Sequence, residues 1–199
     1  PGGEEIDRSF GFQRADMFRR MVDNMLADRG TVGDMRRQLK SRPDDVALLH
    51  RLGMQLALRG ETTEAQTALR RTVALDPKDK SGLASQSLWV IGRYVHRMKT
   101  RDLVAAAAAF NEVLKRFPKS RAARSSGIDL ATLHVRKDRK KEAFNALKAM
   151  VKGDSKDAHR YVEAAWFCHR QKLAQPDCVT WAQKGTQLRA DGYPWAALG

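Results

Sequence analysis

The hydrophobic positions of residues 46–77 recur at helical spacing in two blocks. Leu49, Leu52, Gly53 and Leu56 fall on one face of the first block, and Ala65, Leu69, Thr72 and Val73 on one face of the second. Arg59-Gly60 separates the blocks. Leu75-Asp76-Pro77 closes the second, because proline has no N–H with which to continue a helix. The pattern predicts two amphipathic helices packed antiparallel, with the small residues Gly53 and Ala65 where the two approach most closely.

The same alternation continues along the chain with irregular spacing. Met17/Phe18, Met21/Val22 and Met25/Leu26 recur every four residues and predict a helix. Thr31 to Arg42 predicts a shorter one, with Val32, Met35 and Leu39 inward and Thr31 as its N-cap. Pro43 precedes Pro77 by 34 residues, whereas Pro77 precedes Pro118 by 41. The excess of seven is expected to lengthen the helix beginning near Ser81 by about two turns. The alanine run Ala105–Ala109, followed by Phe110, Val113 and Leu114, predicts a closely packed helix rather than a low-complexity segment. A further pair is expected over about 124–157, where Ala143 follows Ala131 by the same twelve residues that separate Ala65 from Gly53. Gly153-Asp154-Ser155 ends that pair without a proline. Another starts near Ala158, with Tyr161, Ala164 and Ala165 on its first helix and Cys178, Ala182 and Gly185 on its second, which Pro176 begins.

These blocks resemble the tetratricopeptide repeat (TPR), whose pattern is W-x2-L-G-x2-Y, then A-x3-F, then P over about 34 residues. Leu52-Gly53, Leu56, Ala65, Leu69 and Pro77 stand at the matching places, with Leu49 and Leu56 for the tryptophan and tyrosine. Trp195-Ala196-Ala197-Leu198-Gly199 resembles the opening of a further repeat. The resemblance implies an all-α fold, a right-handed TPR solenoid of antiparallel helix pairs. The expected organisation is a leader (1–12), a degenerate capping pair (13–45), the array proper (46–191) and a stub (192–199).

A second resemblance covers residues 3–28. Gly3 to Phe12 alternates (Ile6, Arg8, Phe10, Phe12) and reads as a strand before the helix with Met17. Strand then helix is similar to the last two elements of a thioredoxin-like domain, of which the leader would be a remnant. The Cys-x-x-Cys pair that carries that family's chemistry is absent. An ordinary capping helix behind a loose leader is the competing reading.

Composition bounds the function. No apolar run approaches the roughly 20 residues that span a bilayer. The chain begins Pro1-Gly2-Gly3 without methionine. It reads as a fragment or processed chain, so cytoplasmic and extracytoplasmic locations both stay open. The net charge of +14 points to acidic partners or nucleic acid. The cations fall in two clusters, Arg136, Lys137, Arg139, Lys140 and Lys141 within a helix pair, and Lys115, Arg116, Lys119, Arg121 and Arg124 between pairs. In a stacked array these turns lie on opposite edges, so they form no single stripe, and a solvated, solubilising surface is favoured over a specific polyanion site.

Nothing in the chain spells a catalytic site. The five histidines are scattered, and no H-E-x-x-H, phosphate-binding glycine loop or G-x-S-x-G occurs. A zinc site on Cys168, His169 and Cys178 lacks a fourth ligand. The two cysteines fall on facing helices of one pair, where buried free thiols are favoured over a disulfide. The expectation is a protein with no enzyme activity, cofactor or metal.

The TPR resemblance implies a scaffold that accepts a peptide or helix of a partner protein in a groove lined by the first helix of each pair. At that register the groove residues are His50 and Met54, then Ile91 and Val95, then Ile128, Thr132 and Arg136. The last pair adds His159, Val162, Trp166, His169 and Arg170. Such a surface is apolar in its middle and cationic at one end, which suits an amphipathic segment with an acidic flank. Trp166 is either its anchor or core against the stub. RNA or another polyanion is the alternative ligand, and a docking arm of a thioredoxin-like oxidoreductase is a second alternative.

Overall fold

The computed structural model describes residues 14–173 and 175–189. The expected leader strand and the Trp195–Gly199 stub lie outside them. Among the described residues the fold is all-α, with antiparallel helix pairs and no strand. The chain forms two compact units, Pro1–Thr100 and Arg101–Gly199. Their division falls inside the second expected repeat.

The first unit contains α1 (Ala15–Leu26), α2 (Val32–Ser41), α3 (Val46–Arg59), α4 (Thr62–Leu75) and α5 (Leu83–Val90). Its central pair is α3 with α4. A Cβ on Gly53 would lie 2.5 Å from the Leu69 side chain and 3.2 Å from the Ala65 carbonyl, so only glycine lets the two backbones approach this closely. Leu56, Ala65, Leu69 and Thr72 are fully buried around that contact. Asp45 caps α3 by accepting from Leu48 N–H, and Gly60 closes it at φ 92°, a left-handed turn that glycine adopts without strain.

After α4, Asp76 organises the connection. Its carboxylate accepts from the Lys80 and Ser81 amides and from the Ser81 hydroxyl, at 2.6–2.9 Å. These bonds, led by the Ser81 hydroxyl, hold its pKa below the usual carboxylate value.

Of the seven extra residues, three lie in the connection, which runs 78–82 against 44–45 before α3, and four lengthen the helix. That helix runs 83–100 against 46–59 in α3, about one turn more rather than the expected two. From Ile91 to Thr100 α5 continues as a π-helix of ten residues, wound with i→i+5 hydrogen bonding. At the other end of the unit, α2 packs on α3 through buried Val32 and Met35, and Arg36 holds Glu64 with two bonds and Glu61 with a third. By contrast α1 buries no residue at all; Met17, Phe18 and Leu26 are exposed.

The second unit runs α6 (Leu103–Arg116), α7 (Arg121–Val135), α8 (Lys140–Gly153), α9 (Ala158–Arg170) and α10 (Pro176–Arg189). Asp102, Ser120 and Asp157 cap α6, α7 and α9. Each second helix meets its first at a glycine: Gly127 of α7 against Met150, and Gly185 of α10 against Val162. Ala131 and Ala143 are fully buried as the repeat spacing requires, and one turn earlier Gly127 leaves no room for a Cβ, which would lie 2.5 Å from Met150. In the alanine run, Ala106 and Ala109 are buried and Ala108 is exposed, so the run packs along one side.

The missing proline after α8 has a replacement. Arg160 of α9 is 1% exposed, and its guanidinium donates to Pro118 O (2.6 Å), Met150 O (2.8 Å) and Ser120 O (2.9 Å), with Asp157 at 3.4 Å. It thereby satisfies carbonyls of the α6–α7 connection and of the α8 C-terminus together. Gly153 makes room for it, since a Cβ there would stand 2.8 Å from the guanidinium and 2.6 Å from Pro118 O.

Candidate partner-binding surface

The outward face of α9 follows from what its inward face buries. Arg160, Ala164, Phe167 and Cys168 point into the unit. The helical period then leaves His159, Trp166, His169 and Arg170 exposed and Val162 half-buried. Trp166 is 57% exposed, and its ring meets His169 edge-to-face at 5.8 Å. Arg189 of α10 lies 2.7 Å from His159 Nδ1 and ties that end of the helix to its partner.

Beside α9 lies α7, held there by Arg124 and Glu163 at 3.5 Å. Its contribution is Ile128 and Thr132, both half-buried, and exposed Arg136. Thr132 spends its hydroxyl on the Ile128 carbonyl at 2.7 Å. All eight residues expected on the last two pairs thus belong to one unit, and every one of them retains accessible surface.

The four candidates of the first unit are placed differently. Ile91 and Val95 are 0% and 1% exposed, and His50 is buried with its Nδ1 2.8 Å from Ser87 Oγ. Burial disfavours the charged imidazolium and lowers the His50 pKa. Met54 alone is half-buried. Ile91 and Val95 follow fully buried Leu88 by three and seven residues, so the ordinary helical period places them on its inward face.

Cys168 and Cys178 are bonded to each other, with Cα atoms 6.2 Å apart. This corrects the expectation of free thiols. Cysteines one helix apart on inward, facing positions satisfy the geometry a disulfide needs. The bond also removes both thiolates from any zinc site; among the described residues no group of His, Cys, Asp or Glu could hold a metal. For the surface, the bond matters because it fastens the last turn of α9, which carries Trp166, His169 and Arg170, to α10. Phe144 and Trp181, stacked at 5.2 Å, fasten α10 to α8 in turn.

No protein-family model matches this chain, and no curated protein does. Solved structures do. A crystal structure of MamA is similar with a TM-score of 0.52 at 14% identity, over 90% of this chain and 96% of that one. A second MamA crystal structure gives 0.51 at 16%, over 88% and 87%. The fold is shared with MamA. A MamA RS-1 double mutant, at 0.50 and 16% identity, agrees over 88% of this chain and 94% of that one. At these identities the likeness carries the helical-repeat solenoid fold and nothing finer.

Proposed function

We propose that this chain is a non-enzymatic interaction scaffold that holds a peptide or helix of a partner protein against the α7–α9 face, with Trp166 as anchor. One observation carries the reading. A tryptophan more than half exposed stands on a rigid, cross-linked helix with Arg170 and His169 within one turn. Tryptophan and arginine supply a disproportionate share of interface energy, because they desolvate a large area from a fixed position. The half-buried Val162, Ile128 and Thr132 extend the apolar ground beside it. The fitting partner is an amphipathic segment whose acidic end meets Arg136 and Arg170.

The test is calorimetric titration of the chain with amphipathic peptides bearing an acidic flank, followed by Trp166→Ala and Arg170→Ala. As an anchor, Trp166 should account for at least about 2 kcal/mol of binding, with the melting temperature nearly unchanged. A Trp166→Ala protein that binds as before but loses about 3–5 kcal/mol of stability has a core tryptophan there, and the proposal fails.

A further inference from the structure

The α6–α8 side of the second unit carries a second feature, which shares only Arg136 with the α7–α9 face. A cavity of about 220 Å³ opens between α6, α7 and α8. Its floor is aliphatic: Leu114, Leu130 and Ala146. Asn111, His134, Glu142 and Asn145 form its polar wall. Cavities that enclose whole small-molecule ligands run from about 300 to 1,000 Å³, so this one suits a single side chain.

Asn111, Glu142 and Asn145 stand exposed at the mouth of the cavity. Among the described residues neither the Asn111 nor the Asn145 carboxamide makes a hydrogen bond, and Glu142 has no ion-pair partner. Immediately next to it lies the α7–α8 turn. Arg136, Lys137, Arg139, Lys140 and Lys141 are all exposed there, and among the described residues none has an ion-pair partner. Asp138 is the one acid between them. Turn and cavity are continuous, since His134 and Glu142 flank the turn and His134 lies within electrostatic reach of Lys137, Arg139 and Glu142.

We propose that cavity and turn together form a docking site for an acidic peptide segment of a partner protein, with one aliphatic side chain in the cavity and flanking carboxylates on the turn. The wall chemistry selects peptide over nucleic acid. A carboxamide both donates and accepts, which matches the N–H and C=O of an extended peptide. A phosphodiester backbone offers acceptors only, so Glu142, itself an acceptor, can take a hydrogen bond from a peptide N–H but none from a phosphate. The cations match the carboxylates on either side of the anchoring residue and speed encounter.

The probe is a fluorescein-labelled nonapeptide with a central leucine flanked by aspartates and glutamates, followed by fluorescence anisotropy. Its controls are the same peptide with glycine for leucine and a single-stranded oligothymidine. Leucine to glycine in the peptide should weaken binding at least about tenfold, the discrimination of a buried aliphatic side chain. Ala149→Phe, which fills the cavity from an exposed position on α8, should do the same at an unchanged melting temperature. Lys140→Glu with Lys141→Glu should abolish binding. If Ala149→Phe does not fold, Asn111→Ala with Asn145→Ala carries the same expectation. Equal binding of the leucine and glycine peptides overturns the proposal, as does oligothymidine binding at least as tightly as the leucine peptide. Absence of binding at millimolar peptide overturns it too. None of these three results bears on Trp166.

Discussion

Replacing Arg160 by methionine keeps most of the side-chain volume and removes the guanidinium that joins three segments. Three backbone carbonyls, at Pro118, Ser120 and Met150, then lose donors 2.6–2.9 Å away. An unsatisfied buried polar group costs about 1–3 kcal/mol. Residue 160 is 1% exposed, so water reaches the Met150 carbonyl poorly, while the Pro118 and Ser120 bonds are only partly buried and rehydrate in part. The expected loss is about 3–5 kcal/mol, the range for breaking a buried charged network from one side. For a chain of this size that is a fall of roughly 6–20 °C in Tm.

Lysine at 160 keeps the charge but cannot serve three carbonyls in a fixed plane, so Arg160→Lys should recover less than half of the loss. Urea unfolding followed by circular dichroism measures both variants. Hydrogen exchange should show new opening at the α8–α9 connection first. A loss below about 1 kcal/mol for Arg160→Met would refute the reasoning, because it would mean the carbonyls are satisfied without the arginine.

Two further expectations follow from buried groups. Reducing the Cys168–Cys178 bond, or replacing both cysteines by serine, should lower stability by about 2–3 kcal/mol, the value for closing a loop of this length; an unchanged Tm under reductant would contradict the bond. His50 gives the pH dependence. Its folded pKa lies below the ordinary value because of burial, so the unfolded chain takes up the proton first as pH falls. The neutral ring's contribution is complete above about pH 6.5 and is lost as the pH falls from there through the folded value. The wild type should therefore lose more Tm between about pH 7.5 and 5 than His50→Gln, and equal losses would exclude His50 as the cause.

The helix pairs were legible because small residues are forced wherever two backbones approach. Leu52-Gly53 and Ala65 predict the α3–α4 contact, and the twelve-residue spacing carries it to Ala131 and Ala143. The surplus of seven residues was also visible; three of them lie in the connection before α5 and four in the lengthened helix. The winding of that helix was not visible. Nothing in the apolar pattern of residues 91–100 distinguishes i→i+5 bonding from i→i+4; Ile91 and Val95 are buried for a different reason, because they share the inward face of Leu88.

Arg160 was hidden for another reason. An arginine on a helix reads as solvated surface, and two of its partners are carbonyls 40 and 42 positions earlier in the chain. The only trace in the sequence was the absent proline beside Gly153. On the candidate surface, the 3.6-residue period of α9 was sufficient to put Trp166, His169 and Arg170 outward. It could not weigh free thiols against a disulfide, since both call for inward, facing cysteines.

The link between α9 and α10 has a consequence for how the molecule comes apart. In a helical-repeat chain each hairpin is held by its neighbours, and opening starts where neighbours are fewest. α1, which buries nothing, is such a place, and proteases sampling the native protein should cut around it early. The α9–α10 hairpin behaves oppositely: even when its noncovalent contacts lapse, its strands of chain stay tethered within a few ångströms and re-form without a search. Trp166 is therefore carried on a hairpin that thermal fraying can loosen but cannot separate, and a partner bound there would meet the same face after each excursion.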